Sequence, residues 1–102
     1  MTDEQKQKCH KIADHYGEQH QMLKAVEEMA ELTQIIMKNE TDEEGKYLCD
    51  YIQELADVII MIEQLEYILN TEYNYLCQSA LKSQITAKLN RQLKRMEDEA
   101  NA

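Results

Sequence analysis

At 102 residues the chain is long enough for one small domain, residues 1–102, and too short to bury a large core. A net charge of −9 argues against nucleic-acid polymers and anionic membranes as partners, since both need a positive field. With no Pro, two Gly and six Tyr as its only aromatic residues, the composition is rich in helix formers, and the expected class is all-α.

The N-terminus, Met1-Thr-Asp-Glu, has no apolar signal region. A first, polar helix is expected over residues 3–15, with Asp3 as its N-cap and Ile12 and Ala13 as its few apolar contacts. Gly17 breaks the pattern. His10, His15 and His20 are five apart, which scatters them around a helix and predicts surface positions rather than a metal site. The three cysteines, Cys9, Cys49 and Cys77, include no CxxC pair and read as buried, reduced thiols. A cytoplasmic location is therefore the expectation.

The second helix is expected from about Glu18 to Lys38. Placing residues 100° apart puts Met22, Ala25, Met29, Leu32 and Ile36 in one apolar stripe, with Glu27, Gln34 and Lys38 opposite. Glu28 does not join Glu27 on the polar side. It falls on the apolar edge between Leu32 and Ile35, together with Gln21, Lys24 and Glu31. A polar loop follows, Asn39 to Lys46, with Gly45 available for a turn.

The third helix is expected from Tyr47 to Leu69. Leu48, Tyr51, Ile52, Leu55, Val58, Ile59, Ile62 and Leu69 lie on one broad apolar face, and Ile60, Met61 and Ile68 on the other. A helix apolar nearly all round is a buried helix; in so short a chain this predicts burial against a second subunit. Its longest unbroken apolar run, Val58 to Ile62, is far too short to span a membrane. Glu54 and Asp57 interrupt the flank that carries Met61 and Ile68.

A fourth helix is expected from Glu72 or Tyr75 to Glu97, with Thr71 able to cap it and residues 98–102 fraying. Leu81, Ile85, Leu89, Leu93 and Met96 form its stripe. No acid occurs between Glu72 and Glu97, while five of the eleven basic residues do: Lys82, Lys88, Arg91, Lys94 and Arg95. Lys88, Arg91 and Arg95 share a flank.

Two carboxylate pairs thus sit three residues apart in apolar helical context, Glu28 with Glu31 and Glu54 with Asp57. Residues at that spacing are neighbours on a helix surface. Acid pairs on a solvated face are common and mean little. At the edge of a packed surface they are costly, because clustered carboxylates repel unless a cation sits among them. Hard divalent cations take carboxylate oxygens, so the arithmetic favours a Mg²⁺ site, with Mn²⁺ as an alternative ion. Salt bridges to Lys24 or Lys38 are the structural alternative.

Glu27-Glu28-x-x-Glu31, then 22 intervening residues, then Glu54-x-x-Asp57, resembles the EExxE…ExxD pattern of the MazG-like all-α nucleoside triphosphate pyrophosphatases. Tyr16-Gly17, Gln21, Lys24 to Leu32, Leu55 to Met61 and the basic run Lys88 to Arg95 are similar to small single-domain members of that family. The resemblance covers about residues 16–97.

It implies an all-α helical-bundle protomer of about four helices, assembled as a homodimer or homotetramer. It also implies Mg²⁺-dependent cleavage of a (d)NTP between the α and β phosphates, giving the monophosphate and pyrophosphate. The implied metal ligands are Glu28, Glu31, Glu54 and Asp57. Glu28 or Glu31 would position the attacking water or accept its proton. Lys88, Arg91 and Arg95 would meet the β and γ phosphates, or else pair with the acidic body. Gln21 would touch substrate, and Lys24 would either reach phosphate or neutralise Glu28 one turn on. The reading from another class is a non-enzymatic helical oligomerisation or adaptor module, whose acids form interface salt bridges.

Overall fold

A computed structural model describes residues 1–41 and 45–102 of the chain. Among the described residues there are four α-helices and no strand: α1 (Asp3–Tyr16), α2 (Glu18–Thr41), α3 (Leu48–Glu72) and α4 (Leu76–Ala100). The all-α expectation holds. None of these helices is long and apolar enough to cross a membrane.

α1 begins one residue before the expected cap. The Thr2 hydroxyl accepts from the Gln5 backbone N–H, and the Gln5 side chain accepts from the Thr2 backbone N–H, at 3.1 and 2.8 Å. This reciprocal box satisfies two otherwise orphaned donors, which Asp3 alone does not do. At the other end Gly17 takes φ +86° and ψ 166°, a region open in practice only to glycine. Its N–H closes α1 on the Ala13 carbonyl, and its own carbonyl accepts from Gln21 in α2. One residue therefore separates two helices.

The loop expected over Asn39 to Lys46 starts later, because α2 continues to Thr41. Residues 42–44 of that expectation lie outside the described residues. Likewise Thr71 caps nothing: α3 runs through it to Glu72. The turn into α4 uses Asn74 and Tyr75, both at positive φ, and Tyr75 is the N-cap without a side-chain hydrogen bond. Residues 98–100 of the tail expected to fray continue α4, and residues 101–102 lie beyond it. α4 reaches Ala100, where Lys94 bonds Asp98 at 3.1 Å and the Asn101 N–H closes on the Glu97 carbonyl.

The chain divides into two compact units, Met1–Ile68 and Leu69–Ala102. In the first, Cys9 and Ala13 of α1, Ala25 and Ile35 of α2, and Val58, Met61 and Ile68 of α3 are the buried apolar residues. Polar contacts tie α1 to α3. The His10 ring stacks on Tyr67 at 4.1 Å, His10 Nε2 lies 3.2 Å from Glu63 Oε1, and the Tyr67 hydroxyl donates to Asp14. His10 is thus half-buried in an interhelical contact, not the surface residue expected. Of the cysteines only Cys9 is buried; Cys49 is exposed and Cys77 half-buried. Burial, and then the charge of Glu63, push the Cys9 thiol pKa up.

The expected apolar faces are only partly buried: Ala25 and Val58 turn inward and Leu32 is half-buried, but their larger neighbours do not follow. On α2, Met22, Met29 and Ile36 are exposed, and the edge carrying Gln21, Ala25, Glu28 and Ile35 packs inward. On α3, Leu48, Ile52, Leu55, Ile59 and Ile62 are exposed, while Val58, Met61, Gln64 and Ile68 are buried. Each helix has two apolar flanks, and the fold closes over the narrower flank of mixed polarity. In the second unit, α4 has no buried residue; Ile85, Leu89, Leu93 and Met96 are all exposed.

Candidate metal centre

The inward edges of α2 and α3 carry the acids. Residues 21, 25, 28, 32 and 35 repeat at alternating steps of four and three, and so do 54, 57, 61, 64 and 68 in the opposite phase. Such steps keep one line of side chains on one helix face. Glu28 is carried into the packed surface by the Ala25–Ile35 line, and Glu54 and Asp57 by the line through Met61 and Ile68. One carboxylate oxygen from each of Glu28, Glu54 and Asp57 lies within 4.8 Å of the others.

Glu28 is 8% exposed, whereas Glu27 beside it is exposed. Glu28 Oε1 is paired to Lys24 Nζ at 3.1 Å, and Lys24 also lies 3.7 Å from Glu27. The second oxygen, Glu28 Oε2, is buried and meets no N–H or hydroxyl donor among the described residues, and the same holds for Glu54 Oε2; Glu31 and Asp57 can hydrogen-bond Glu28 only in their protonated forms. A buried carboxylate oxygen without a partner is costly. Two of them in one cluster make a site that a cation would complete. Three hard oxygen donors suit Mg²⁺ or Mn²⁺, which commonly keep water in their remaining positions.

The acids feel one another's charge. Burial first, and then Glu28, push the Asp57 carboxyl pKa up, with Lys24 pulling the other way. The charge of Glu28, followed by desolvation and the charge of Glu54, pushes the Glu31 carboxyl up. Glu31 is close enough to be perturbed by two of the three acids, yet its carboxylate is not one of the three that converge. Hydrogen bonding to Glu28, reinforced by the charges of Glu27 and Glu28, holds the Lys24 ammonium above its ordinary value.

A cavity of about 530 Å³ adjoins the trio, with Glu28 and Asp57 in its lining and Tyr16, His20, Gln21 and Gln64 elsewhere in it. Another, of about 390 Å³, opens between α1 and α3 at Cys9, Ile12 and Ile59; it contains none of the acids. Of the expected site residues, Glu28, Glu54 and Asp57 come together. Glu31, Lys24 and Gln21 lie alongside. Lys88, Arg91 and Arg95 are exposed on α4 in the second unit.

Sequence reasoning missed Gln64, which is 1% exposed and accepts at Oε1 from Gln21 Nε2 at 2.7 Å. Its signal was available: it continues the Glu54–Asp57–Met61 line by one more step. No family model, curated protein or solved structure matches the chain.

Proposed function

We propose that the chain is a Mg²⁺-dependent nucleoside triphosphate pyrophosphohydrolase of the MazG-like kind, able to use Mn²⁺, cleaving (d)NTP to (d)NMP and pyrophosphate. The observation that carries this reading is the pair of buried oxygens that meet no donor among the described residues, Glu28 Oε2 and Glu54 Oε2, in a cluster of three carboxylates. Acids kept for structural ion pairing would have both oxygens paired or solvated.

Glu28, Glu54 and Asp57 would hold the ion. Bound there, it would neutralise a triphosphate that the acids alone repel, and lower the pKa of a coordinated water. Glu31, beside the trio, is left to position the attacking water or take its proton. Lys24 holds Glu28 in place through Oε1 and screens the rim of the cavity. The flank Lys88, Arg91 and Arg95 supplies the cations that the β and γ phosphates need, from the same or a second copy of the chain.

The assembly we propose is a homodimer or homotetramer in the cytoplasm. Exposed apolar residues support it. Leu48, Ile52, Leu55, Ile59 and Ile62 recur at steps of four and three along α3, the spacing of a helix–helix seam. Met22, Val26 and Met29 begin the same pattern on α2. These seams also favour a non-enzymatic oligomerisation module, but that module gives no reason for the unpartnered carboxylate oxygens.

Pyrophosphate release from a panel of NTPs and dNTPs, with Mg²⁺ and with EDTA, tests the reading. Metal-dependent release of pyrophosphate together with monophosphate is expected. Orthophosphate release would place the cleavage at another bond. No release from any nucleotide by folded protein would favour the oligomerisation module.

A further inference from the structure

The junction of α1 and α2 carries aromatic surface that the metal chemistry does not use. Tyr16 is the last residue of α1, His20 lies in the first turn of α2, and Gly17 alone separates the two helices. Across this junction the Tyr16 ring stacks on the His20 ring at 4.8 Å and 16°, and His15 meets Tyr16 edge-on at 4.7 Å and 90°. An exposed tyrosine by itself means little. This one has its ring set by two others, so it offers contact area whose ordering cost is already met.

Neither ring of the stack is withdrawn from water: Tyr16 is 54% exposed, and His20 is exposed too. Both line the cavity of about 530 Å³ that has Glu28 and Asp57 in its wall, a volume in the range that holds a small ligand. His20, Lys24 and Glu28 follow one another at steps of four, a single ridge of α2, and all three line that cavity. Eight residues of helix separate His20 from Glu28, about 12 Å along the axis. One wall therefore has an aromatic platform at one end, the carboxylates at the other and Lys24 between them. A nucleoside triphosphate has the same order: a flat base, then a sugar, then the phosphates.

We infer that the Tyr16–His20 stack is the platform on which the base of the nucleotide lies while its phosphates reach a metal at Glu28, Glu54 and Asp57. Every base has a π face, so the platform holds purines and pyrimidines alike and favours nucleotides over phosphates that carry no base. The inference rests on the nucleotide reading above, and adds to it a binding residue, Tyr16, that lies outside the acid motif.

The test compares the wild type with Tyr16→Ala, and with Tyr16→Phe as the conservative control. Tyr16 is exposed at the end of α1, so its truncation should leave the fold intact, which a thermal melt checks. Pyrophosphate release is followed for ATP, GTP, CTP and UTP in Mg²⁺. Inorganic tripolyphosphate, which carries phosphates and no base, is added as a competitor. Tyr16→Ala should raise KM about fivefold or more for all four nucleotides, the worth of one base–aromatic stack, with kcat held within about threefold. Tyr16→Phe should bring KM back to within about twofold of the wild type, since it keeps the ring. The Ki of tripolyphosphate should be the same in each protein. KM values that Tyr16→Ala leaves unchanged, or a Ki that rises as much as KM, would overturn the inference.

Adenosine and uridine, added in EDTA and followed by NMR, separate this failure from failure of the hydrolase reading. They carry no phosphate and need no metal. If the wild type cleaves nothing, ring-current shifts of the Tyr16 ring protons with both nucleosides support the platform and overturn the hydrolase. If it cleaves nothing and those protons do not move, both readings are overturned.

Discussion

Neutralising Asp57 should make the metal-free protein more stable and the metal-loaded protein less so. Asp57→Asn keeps the shape of the side chain and removes one charge from the trio. Its oxygen lies within 4.8 Å of Glu28 and Glu54. Two unit charges at that distance repel by ~0.9 kcal/mol at the dielectric of water. Asp57 is exposed, and physiological salt roughly halves that figure. Asp57 faces both Glu28 and Glu54, so relief of the two repulsions, about 1 kcal/mol together, should raise the Tm in EDTA by about 4–8 °C for a domain of this size. The direction agrees with the Asp57 carboxyl, which burial and Glu28 push up, so that its charged form is the disfavoured one. Excess Mg²⁺ should stabilise the wild type by about 2.7 kcal/mol at a hundred times its Kd, and the variant by much less at the same concentration. The assay is a thermal melt at fixed protein concentration, with EDTA and with Mg²⁺. If Asp57→Asn lowers the Tm in EDTA and Mg²⁺ leaves the wild type unmoved, the acids are structural ion-pair residues and the metal argument fails.

Glu28→Gln should reduce Mg²⁺-dependent pyrophosphate release by about 100-fold or more, the scale of losing a direct metal ligand or its support, whereas Glu27→Gln should stay within about threefold; equal losses in a steady-state assay would contradict the burial of one and exposure of the other. Acidification should stabilise the metal-free protein. The Glu31 and Asp57 carboxyls are both raised in the folded state, so native protein holds protons that the unfolded chain has released. That stability is complete below the ordinary carboxylate range and is lost as pH rises through the raised values. In EDTA the Tm should therefore climb as pH falls toward the ordinary carboxylate range, with a smaller slope in Glu31→Gln/Asp57→Asn, while the Mg²⁺ concentration needed for half-maximal stabilisation should rise over the same span as protons compete for the ligands. Ile62→Glu, placed on the exposed α3 seam, should shift light-scattering mass from a multiple of 12.0 kDa toward that value; an unchanged assembly would mean that the seam is not where copies meet.

Helix register was legible because it depends only on counting. Glu28 and Glu27 are 100° apart wherever the helix sits, so their different burial followed from the apolar residues around them. Which of two apolar flanks closes inward was not legible. On α2 the apolar stripe through Met22, Ala25 and Met29 adjoins the edge carrying Gln21, Glu28 and Ile35, and of the stripe it is Ala25 that turns inward while Met22 and Met29 stay exposed. Ala25 is buried together with Gln21, Glu28 and Gln64, and a small side chain lets helices approach. Gln64 went unread because a lone glutamine in an apolar helix carries no charge signal. Its partner is 43 residues away, and only the fold brings the two amides together. The Thr2 cap was missed for a local reason, since Thr2 and Asp3 are both good N-caps and the reciprocal Gln5 decides between them.

The inverted arrangement bears on the choice between enzyme and oligomerisation module. A small helical domain ordinarily puts its best apolar stripe inside and leaves acids in water. This one encloses two carboxylate oxygens without a donor among the described residues and two amides within its own first unit, and leaves the Leu48–Ile62 seam outside. The exposed seam alone is compatible with either reading. The enclosed acids ask for more. Among the described residues Lys24 is the lysine paired to Glu28, and it satisfies one oxygen. A module selected for assembly would be more stable with those acids replaced by apolar residues, as buried ion clusters generally are. Their place on the inner face is what a cation site would require, and the Asp57→Asn melt in EDTA and in Mg²⁺ decides whether it is one.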